Sequence, residues 1–336
     1  TLFRSSWVNQ IKIMANLDIS ERRLPQDGRI LYHRGERKFD LRVSSLPTIY
    51  GEKVVLRLLT RHAELLELSN LGFSERQLAD YAEAISRPHG MALITGPTGS
   101  GKSTTLYATL RRLNRESGNI LTIEDPVEYT LEGVNQVQLK EEIGLTFGAA
   151  LRTFLRQDPD IIMLGEIRDA DTAAMAIRSS LTGHLVLSTI HTNSAWGSVS
   201  RLRDMGVHPY LLSGTLILCA AQRLIRLLCP DCKREAELTA TEREQVYGKN
   251  PAFESVAGHY RPVGCERCYY TGYRGRRAIY EVIPIDGELA EAVRESRSDI
   301  APLLKRRGIT TLKDSALDLF LFGQTSLEEV LPLLRE

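Results

Sequence analysis

The chain has 336 residues, 43% of them hydrophobic and 25% charged, and its formal net charge at pH 7 is +1. This composition is typical of a globular protein of roughly two domains, and the near-neutral charge gives no general case for attraction to nucleic acid or a membrane surface. The longest apolar run, near 211–221, is too short to span a bilayer, and no signal peptide is visible. Because the first residue is Thr1 rather than Met, we expect a further N-terminal region to be missing.

The first part of the chain, residues 1–87, predicts a small α+β domain. Apolar residues at helical spacing over 7–17 predict a helix, and the sequence LPQDG at 24–28 predicts a turn. Alternating apolar residues then predict strands at 30–33, 39–44 and 51–59. We expect a hinge at 88–90, Pro-His-Gly, because proline and glycine both interrupt regular structure.

A glycine-rich loop follows the first strand of the next region. Strand, GxxxxGKS and helix form the phosphate-loop arrangement, in which glycines turn successive N–H groups into one concavity at a helix N-terminus. Lys102 is expected to reach the β- and γ-phosphates, and the Ser103 hydroxyl to take a magnesium coordination position. The alternative is a chance glycine turn. The predicted nucleotide-binding residues are Gly96, Pro97, Thr98, Gly99, Ser100, Gly101, Lys102, Ser103 and Thr104.

Strands and helices alternate beyond this loop, which predicts a mostly parallel sheet covered on both faces. Further strands are predicted at 119–124, 160–164 and 185–190, and each is followed by polar residues. Helices are predicted at 147–157, 170–181 and 195–205. Ligands of such sheets bind at the carboxyl edge of the strands. Glu166 is therefore expected to support Mg²⁺, with a purely structural role as the alternative. His191 is a candidate contact for the γ-phosphate, with a structural role as the alternative, whereas His184, at the opposite strand end, is interpreted as structural.

Three carboxylates follow the strand at 119–124 within five residues. Hydrolysis requires a group that orients and deprotonates the attacking water. Glu128 lies past the Pro126 turn and is our choice of catalytic base, and Glu124 and Asp125 are expected to organise Mg²⁺ and its waters. The alternative is a solvated acidic turn.

Two CxxC pairs in the last third of the chain predict a metal site. Cys229 and Cys232 form the first pair, and Cys265 and Cys268 form the second. Four thiolates satisfy a tetrahedral zinc ion and leave no open position, so we expect a structural zinc site in a reducing compartment. The alternative is four free thiols without metal. Cys219 is interpreted as a core residue.

Phosphoryl transfer is often completed by a guanidinium group from a neighbouring domain or subunit. Arg42 and Arg57 on predicted strands are candidates for this role, as are Arg152 and Arg156 on a predicted helix. Composition alone does not indicate which of them contacts a phosphate.

Several stretches together resemble the ATPases of bacterial type II secretion and type IV pilus assembly. They are GPTGSGKSTTLYATL, ILTIEDPVEY, RQDPDIIMLGEIRD, TGHLVLSTIHTN, LPQDGRI, RVSSLPTIYGEKVVLRLL and CPDC…GCERCYYTGYRGR. The resemblance implies an α/β fold: a RecA-like P-loop core with a small PAS-like N-terminal domain and a zinc-binding, helical C-terminal extension. The implied divisions are a PAS-like domain at 1–87, a hinge at 88–90, an ATPase core at 91–228, a Cys₄ zinc subdomain at 229–285 and a helical subdomain at 286–336.

The same resemblance implies residue roles and partners. Glu128 would be the catalytic base, Glu166 would support Mg²⁺, and Arg42 and Arg57 would contact the nucleotide. The cofactors would be ATP, Mg²⁺ and Zn²⁺. The protein would be a cytoplasmic homo-hexamer, held peripherally at the bacterial inner membrane by adaptor and platform proteins, without a nucleic-acid partner.

Two branches of this family fit the residues, and the stretches LDISERRLPQDGR and CPDCK favour type II secretion over pilus extension. A nucleic-acid translocase on the same core is a more remote alternative, because no basic, aromatic-bearing groove is evident. A scaffold that binds ATP without hydrolysis is a further alternative, which the combination of Lys102, Ser103, Glu128 and Glu166 disfavours.

Overall fold

The computed structural model describes residues 2–34, 37–59, 67–248 and 258–335. Contacts divide the chain into a first unit, Thr1–Ala63, and a second unit, Glu64–Glu336. The division precedes the hinge predicted at 88–90, since Leu68 and Leu71 already pack into the core of the second unit. The hinge and the finer domain boundaries stay predictions. Residues 249–257 of the predicted zinc subdomain lie outside the described residues.

In the first unit, one helix accompanies a three-stranded antiparallel sheet. The elements are α1 Leu2–Met14, β1 Gln26–Arg34, β2 Arg37–Thr48 and β3 Gly51–Leu59, with β2 in the middle. Ala15, Ile30 and Val43 form its buried core, with Ile11 and Leu17 packed against them. The predicted helix and strands are confirmed, and the PAS-like assignment stays a prediction.

The turn predicted at 24–28 is wrong in its second half, because β1 begins at Gln26. Gly28 pairs with Val43 on the neighbouring strand. A Cβ atom at Gly28 would lie 2.5 Å from the carbonyl oxygen of Ala15 and 2.8 Å from Leu17 Cδ2. The glycine therefore permits the close approach of the segment after α1, rather than a reversal of the chain.

The second unit is organised around a seven-stranded sheet. The strands of this unit are β4 Gly90–Thr95, β5 Ile120–Glu124, β6 Asn135–Gln138, β7 Ile161–Leu164, β8 Leu185–Ile190, β9 Leu216–Leu228, β10 Arg234–Glu237, β11 Gly258–Arg261 and β12 Tyr273–Pro284. The sheet order is β12-β9-β4-β8-β7-β5-β6, and β10 and β11 form a separate ribbon. Within the sheet only the β9–β12 pair is antiparallel.

Apolar packing on both faces of this sheet confirms the predicted covered, mostly parallel arrangement. Along β4, Met91 and Leu93 belong to one buried cluster, and Ala92 and Ile94 belong to another. The helices of the unit are α2 Glu75–Ile85, α3 Lys102–Leu113, α4 Phe147–Phe154, α5 Ala170–Leu181, α6 Gly197–Asp204, α7 Pro209–Thr215, α8 Ala240–Tyr247, α9 Gly287–Arg294, α10 Ala301–Arg306, α11 Leu312–Leu321 and α12 Leu327–Arg335. No helix among the described residues has the length and apolar character needed to cross a membrane.

Predicted and observed elements differ mainly in the last third of the chain. The strands predicted after residue 91 correspond to β4, β5, β7 and β8. The sequence did not predict β9 and β12, because an apolar run such as that at 216–221 is ambiguous between buried strand and buried helix. The helices predicted at 147–157 and 195–205 are shorter, ending at Phe154 and Asp204.

Gly90→Ala is expected to destabilise the second unit by about 2 kcal/mol or more, through backbone strain and overpacking. Gly90 has φ +130°, and a Cβ atom there would lie 2.4 Å from Ile217 Cγ2. Urea unfolding followed by the fluorescence of Trp196, which is buried in this unit, measures the effect. The control is Gly214→Ala in α7, where a Cβ atom meets nothing within 4 Å. Equal unfolding midpoints for the two variants would contradict the packing argument.

Candidate active site

The loop between β4 and α3 has the backbone geometry that an anion site requires. Gly96, Gly99 and Gly101 have φ of +150°, +80° and +91°, which confirms the predicted positive values. Gly101 is the N-cap of α3 and supplies no side-chain cap to the first N–H groups of the helix. Those N–H groups and the positive end of the helix dipole are therefore directed at the loop.

Two polar side chains of the loop fit a phosphate ligand. The Lys102 Nζ atom donates to the carbonyl oxygens of Gly96 and Pro97, at 2.8 and 3.1 Å. Burial lowers the pKa of Lys102, the charge of Glu166 raises it, and that of Arg223 lowers it further. The Ser100 hydroxyl is buried and has no hydrogen-bond partner among the described residues. A buried hydroxyl without a partner is costly, and a phosphate oxygen would satisfy it.

Strand β9 packs against the same loop and against α3. The Thr105 hydroxyl donates to Gln222 Oε1 at 2.9 Å, and it lies 3.1 Å from the Tyr280 hydroxyl on β12. A Cβ atom at Gly96 would lie 2.4 Å from the backbone oxygen of Gln222. The loop is therefore packed directly against β9, and only glycine fits at position 96.

Charged side chains from three neighbouring strand ends meet at Glu166, which follows β7. The His191 Nε2 atom, after β8, lies 3.1 Å from Glu166 Oε2. The Arg168 guanidinium bonds to Glu166 Oε1 and donates to Asp125 Oδ2, after β5, at 3.2 Å. The structure thus brings Glu166, His191 and Asp125 together, as the strand-end argument predicts. Arg168 is not among the residues predicted from the sequence, although it lies two residues after the strand-end acid.

Glu124 occupies a different position from its neighbour Asp125. Its carboxylate is 4% exposed and accepts hydrogen bonds from Thr122 Oγ1 at 2.6 Å, from Gln136 Nε2 at 3.1 Å and from the Tyr107 hydroxyl. The carboxylate is thus enclosed by three protein donors, and its predicted role in organising magnesium-bound waters stays a prediction. Asp125 is exposed and keeps the predicted position at the sheet edge.

The remaining predicted residues of the second unit are Glu128 and His184. Glu128 is half-buried, and its backbone N–H donates to the Tyr107 hydroxyl at 3.1 Å. Its role as a base stays a prediction. The His184 Nδ1 atom lies 2.8 Å from the Ser179 backbone oxygen, which agrees with the structural interpretation of that residue.

In the first unit, Arg42 stands directly opposite Arg57 on β3 and opposite Arg29 on β1. Because directly opposite residues of paired strands share a face, the three arginines form one row on the sheet. Arg29 is not among the residues predicted from the sequence, although it lies in LPQDGRI. The predicted contribution of Arg42 and Arg57 to the nucleotide stays a prediction.

Four cysteine side chains converge at the ends of β9 and β12, where Leu228 pairs with Tyr273. The Sγ atoms lie 3.9 Å apart for Cys229 and Cys265, and 3.8 Å apart for Cys232 and Cys268 and for Cys265 and Cys268. Sulfurs around a tetrahedral zinc, at about 2.3 Å from the metal, would be about 3.8 Å apart. Backbone N–H groups of Gly264 and Gly272 also donate to sulfur, at 3.3 Å, which favours thiolates. The cluster fits a tetrahedral metal ion.

Comparison with known proteins gives one family and several relatives. The family described as type II/IV secretion system protein matches residues 3–332. Type II secretion system protein E of Aeromonas hydrophila is 50% identical over 330 residues, which is 98% of this chain and 65% of that protein. The type IV pilus assembly ATPase PilB of Myxococcus xanthus is 52% identical over 330 residues, which is 97% of this chain and 58% of that protein. The chain thus spans less than two thirds of the length of these relatives.

A solved structure supports the fold. The crystal structure of the pilus retraction motor PilT with bound ADP has a TM-score of 0.66 at 26% identity, covering 90% of this chain and 76% of that chain. Together with the mostly parallel sheet and the glycine loop, this likeness identifies the core of the second unit as RecA-like, as predicted.

Gly96→Ala is expected to weaken nucleotide binding at least about 100-fold, because the added Cβ atom displaces the loop backbone from its working position. The matched variant is Gly99→Ala, where φ is +80° but a Cβ atom meets nothing within 4 Å. Backbone strain alone, about 1–2 kcal/mol, predicts a loss of roughly tenfold there. Titration of a fluorescent ATP analogue measures both. Parent-like affinity in Gly96→Ala would refute the assigned loop geometry.

Proposed function

The chain belongs to the family of type II/IV secretion system proteins, and we propose that it hydrolyses ATP as a motor for type II protein secretion. The observation that carries the proposal is the convergence at one sheet edge of the phosphate loop after β4, Asp125 after β5, Glu166 after β7 and His191 after β8. Phosphate binding alone needs only the loop, whereas hydrolysis also needs carboxylates that position a metal ion and a water molecule.

Phosphate binding is assigned to the loop N–H groups, to Ser100 and to Lys102. Lys102 would exchange its bonds to the carbonyl oxygens of Gly96 and Pro97 for bonds to phosphate oxygens. Ser103 is exposed on the first turn of α3 and offers a hydroxyl, and Glu166 offers a carboxylate, which are the oxygen ligands that Mg²⁺ prefers. When bound, Mg²⁺ neutralises charge on the phosphates.

Proton transfer is assigned to Glu128, which accepts a proton from the attacking water. Arg168 holds Glu166 and Asp125 in place by bonding to both. His191, bonded to Glu166, is assigned to the γ-phosphate side. Arg42 and Arg57 of the first unit are assigned to the nucleotide as anion contacts.

We further propose that the chain acts as a cytoplasmic homo-hexamer at the inner face of the bacterial inner membrane, where it drives a secretion platform. Support comes from the name of the Aeromonas hydrophila relative, type II secretion system protein E, at 50% identity.

Pilus extension is the second candidate, because the Myxococcus xanthus pilus assembly ATPase is 52% identical. Complementation separates the two functions. We expect the corresponding full-length gene to restore secretion, rather than pili, in strains lacking the respective ATPase. Restoration of pili alone would assign the chain to the pilus branch.

Glu128→Gln is expected to retain ATP binding and to slow hydrolysis by two or more orders of magnitude, because the amide cannot accept the proton. Lys102→Ala is the companion variant, and it is expected to lose binding as well as turnover. Phosphate release and ATP-analogue titration measure the two properties separately. Parent-rate turnover in Glu128→Gln would refute the base assignment.

The same phosphate-release assay on the parent chain tests the alternative functions. Absence of phosphate release would favour a non-hydrolysing scaffold, and stimulation of ATP hydrolysis by DNA or RNA would favour a translocase.

Purified protein is expected to contain one zinc ion per chain, held by Cys229, Cys232, Cys265 and Cys268. Cys268→Ser should remove the zinc and lower the melting temperature, because metal binding at a structural site contributes to folding. Cys219→Ala is the control, since burial raises the pKa of that thiol to about 12 and it lies away from the cluster. Elemental analysis without zinc in the parent protein would refute the assignment.

A further inference from the structure

The Tyr107 hydroxyl joins three parts of the candidate site. Tyr107 lies on α3, the helix that follows the phosphate loop, and its side chain is 1% exposed. The hydroxyl donates to Glu124 Oε2 at the end of β5 and accepts the backbone N–H of Glu128 at 3.1 Å. One oxygen atom therefore connects α3, β5 and the loop that carries Glu128.

The direction of these hydrogen bonds is determined by the surroundings. Glu124 is buried and also accepts from Thr122 Oγ1 and Gln136 Nε2, so its carboxylate is held in a fixed orientation. Burial raises the pKa of Tyr107 well above its usual range, and the charge of Glu124 raises it further. The hydroxyl therefore stays protonated and donates its hydrogen bond to Glu124. Its oxygen accepts the N–H of Glu128 at 3.1 Å and a longer bond from Gln136 Nε2 at 3.4 Å.

Ring packing limits the freedom of this hydroxyl. The Tyr107 ring meets the Tyr129 ring edge-on, with centroids 4.5 Å apart. Tyr129 is the residue next to Glu128, and its backbone oxygen accepts from Gln136 Nε2 at 3.1 Å. The same short segment is thus held to α3 by an aromatic contact and a hydrogen bond.

We propose that Tyr107 is a positioning residue that holds the backbone of Glu128 at a fixed position relative to the phosphate loop. Tyr107 and the phosphate-binding residues Lys102 and Ser103 lie on one helix, so a displacement of α3 by bound nucleotide moves the backbone of Glu128 with it. The inference rests on the proposed function, because it requires hydrolysis with Glu128 as the base. Tyr107 acts through Glu128 and touches no reacting atom.

Tyr81 is a matched control for loss of a buried hydroxyl beside α3. It is 1% exposed, and its hydroxyl lies 2.7 Å from Thr109 Oγ1 on α3. Both Tyr→Phe changes keep the ring and remove one buried hydroxyl beside α3. At position 81 the change breaks one hydrogen bond, whereas at position 107 it breaks the bonds to Glu124, to the Glu128 N–H and to Gln136 Nε2. Only Tyr107→Phe removes the acceptor for the Glu128 N–H.

Steady-state ATPase assays on the two variants test the proposal. Tyr107→Phe is expected to lower kcat about tenfold, because small displacements of a catalytic group carry large rate penalties, while KM stays within about threefold of the parent. Tyr81→Phe is expected to leave kcat and KM unchanged while lowering the melting temperature through its one lost hydrogen bond. Parent-like kcat in Tyr107→Phe, or an equal loss of kcat in Tyr81→Phe, would overturn the positioning role.

A double variant separates this inference from the proposed function. In Glu128→Gln, Tyr107→Phe should add little further loss, because the group that the hydroxyl positions has already lost its basicity. Losses that multiply would show that Tyr107 acts independently of Glu128 and would overturn the inference. Parent-rate turnover in Glu128→Gln alone would instead refute the proposed base.

Hydrogen–deuterium exchange gives a readout that does not depend on turnover. The amide of Glu128 should exchange faster in folded Tyr107→Phe than in the parent chain, and should be unaffected in Tyr81→Phe. Unchanged protection of the segment 125–129 in Tyr107→Phe would overturn the hydrogen bond on which the inference is built.

Discussion

Parallel pairing of the central strands is the constraint on which the candidate site depends. Thr95 pairs with Ile190, Leu164 with Ser188, and Ile123 with Leu164. With this register, the residues that follow β4, β5, β7 and β8 reach the same edge of the sheet. A slip of one residue in any pair would send the strand's side chains to the opposite face, so the buried clusters on both faces also preserve the alignment of the site.

The antiparallel pair β9–β12 extends this constraint to the cysteine cluster. The middle of β9 supports the phosphate loop through Gln222, and its end leads directly to Cys229. Tyr280, opposite Gln222 on β12, contacts Thr105 of α3. The loop and the cluster therefore share one strand pair, and a metal ion bound by the four cysteines would also stabilise the side of the sheet against which the loop packs.

Motif spacing predicted the residues of the site better than it predicted their surroundings. Glu124 and Asp125 are adjacent carboxylates that the sequence treated alike, yet the first is enclosed by Tyr107, Thr122 and Gln136 while the second is exposed. The donors to Glu124 come from α3, β5 and β6, so no local pattern identifies them. Arg168 was missed for a similar reason, because its importance comes from reaching Asp125, which follows β5 and is 43 positions away in sequence.

The sequence by itself determined the phosphate loop, the alternation of strand and helix, the strand-end residues Glu166 and His191, and the grouping of two CxxC pairs. These features depend on local backbone geometry and short spacing, which neighbouring residues specify. Only the tertiary structure decided that β9 and β12 are strands, that Glu124 is a buried acceptor and that Tyr107 holds the Glu128 segment. Each of these depends on contacts between distant parts of the chain, and the energy of such contacts exists only once the sheet has formed. The phosphate loop could thus be predicted from its own residues, whereas its connection to Glu128 through Tyr107 could be identified only from the tertiary structure.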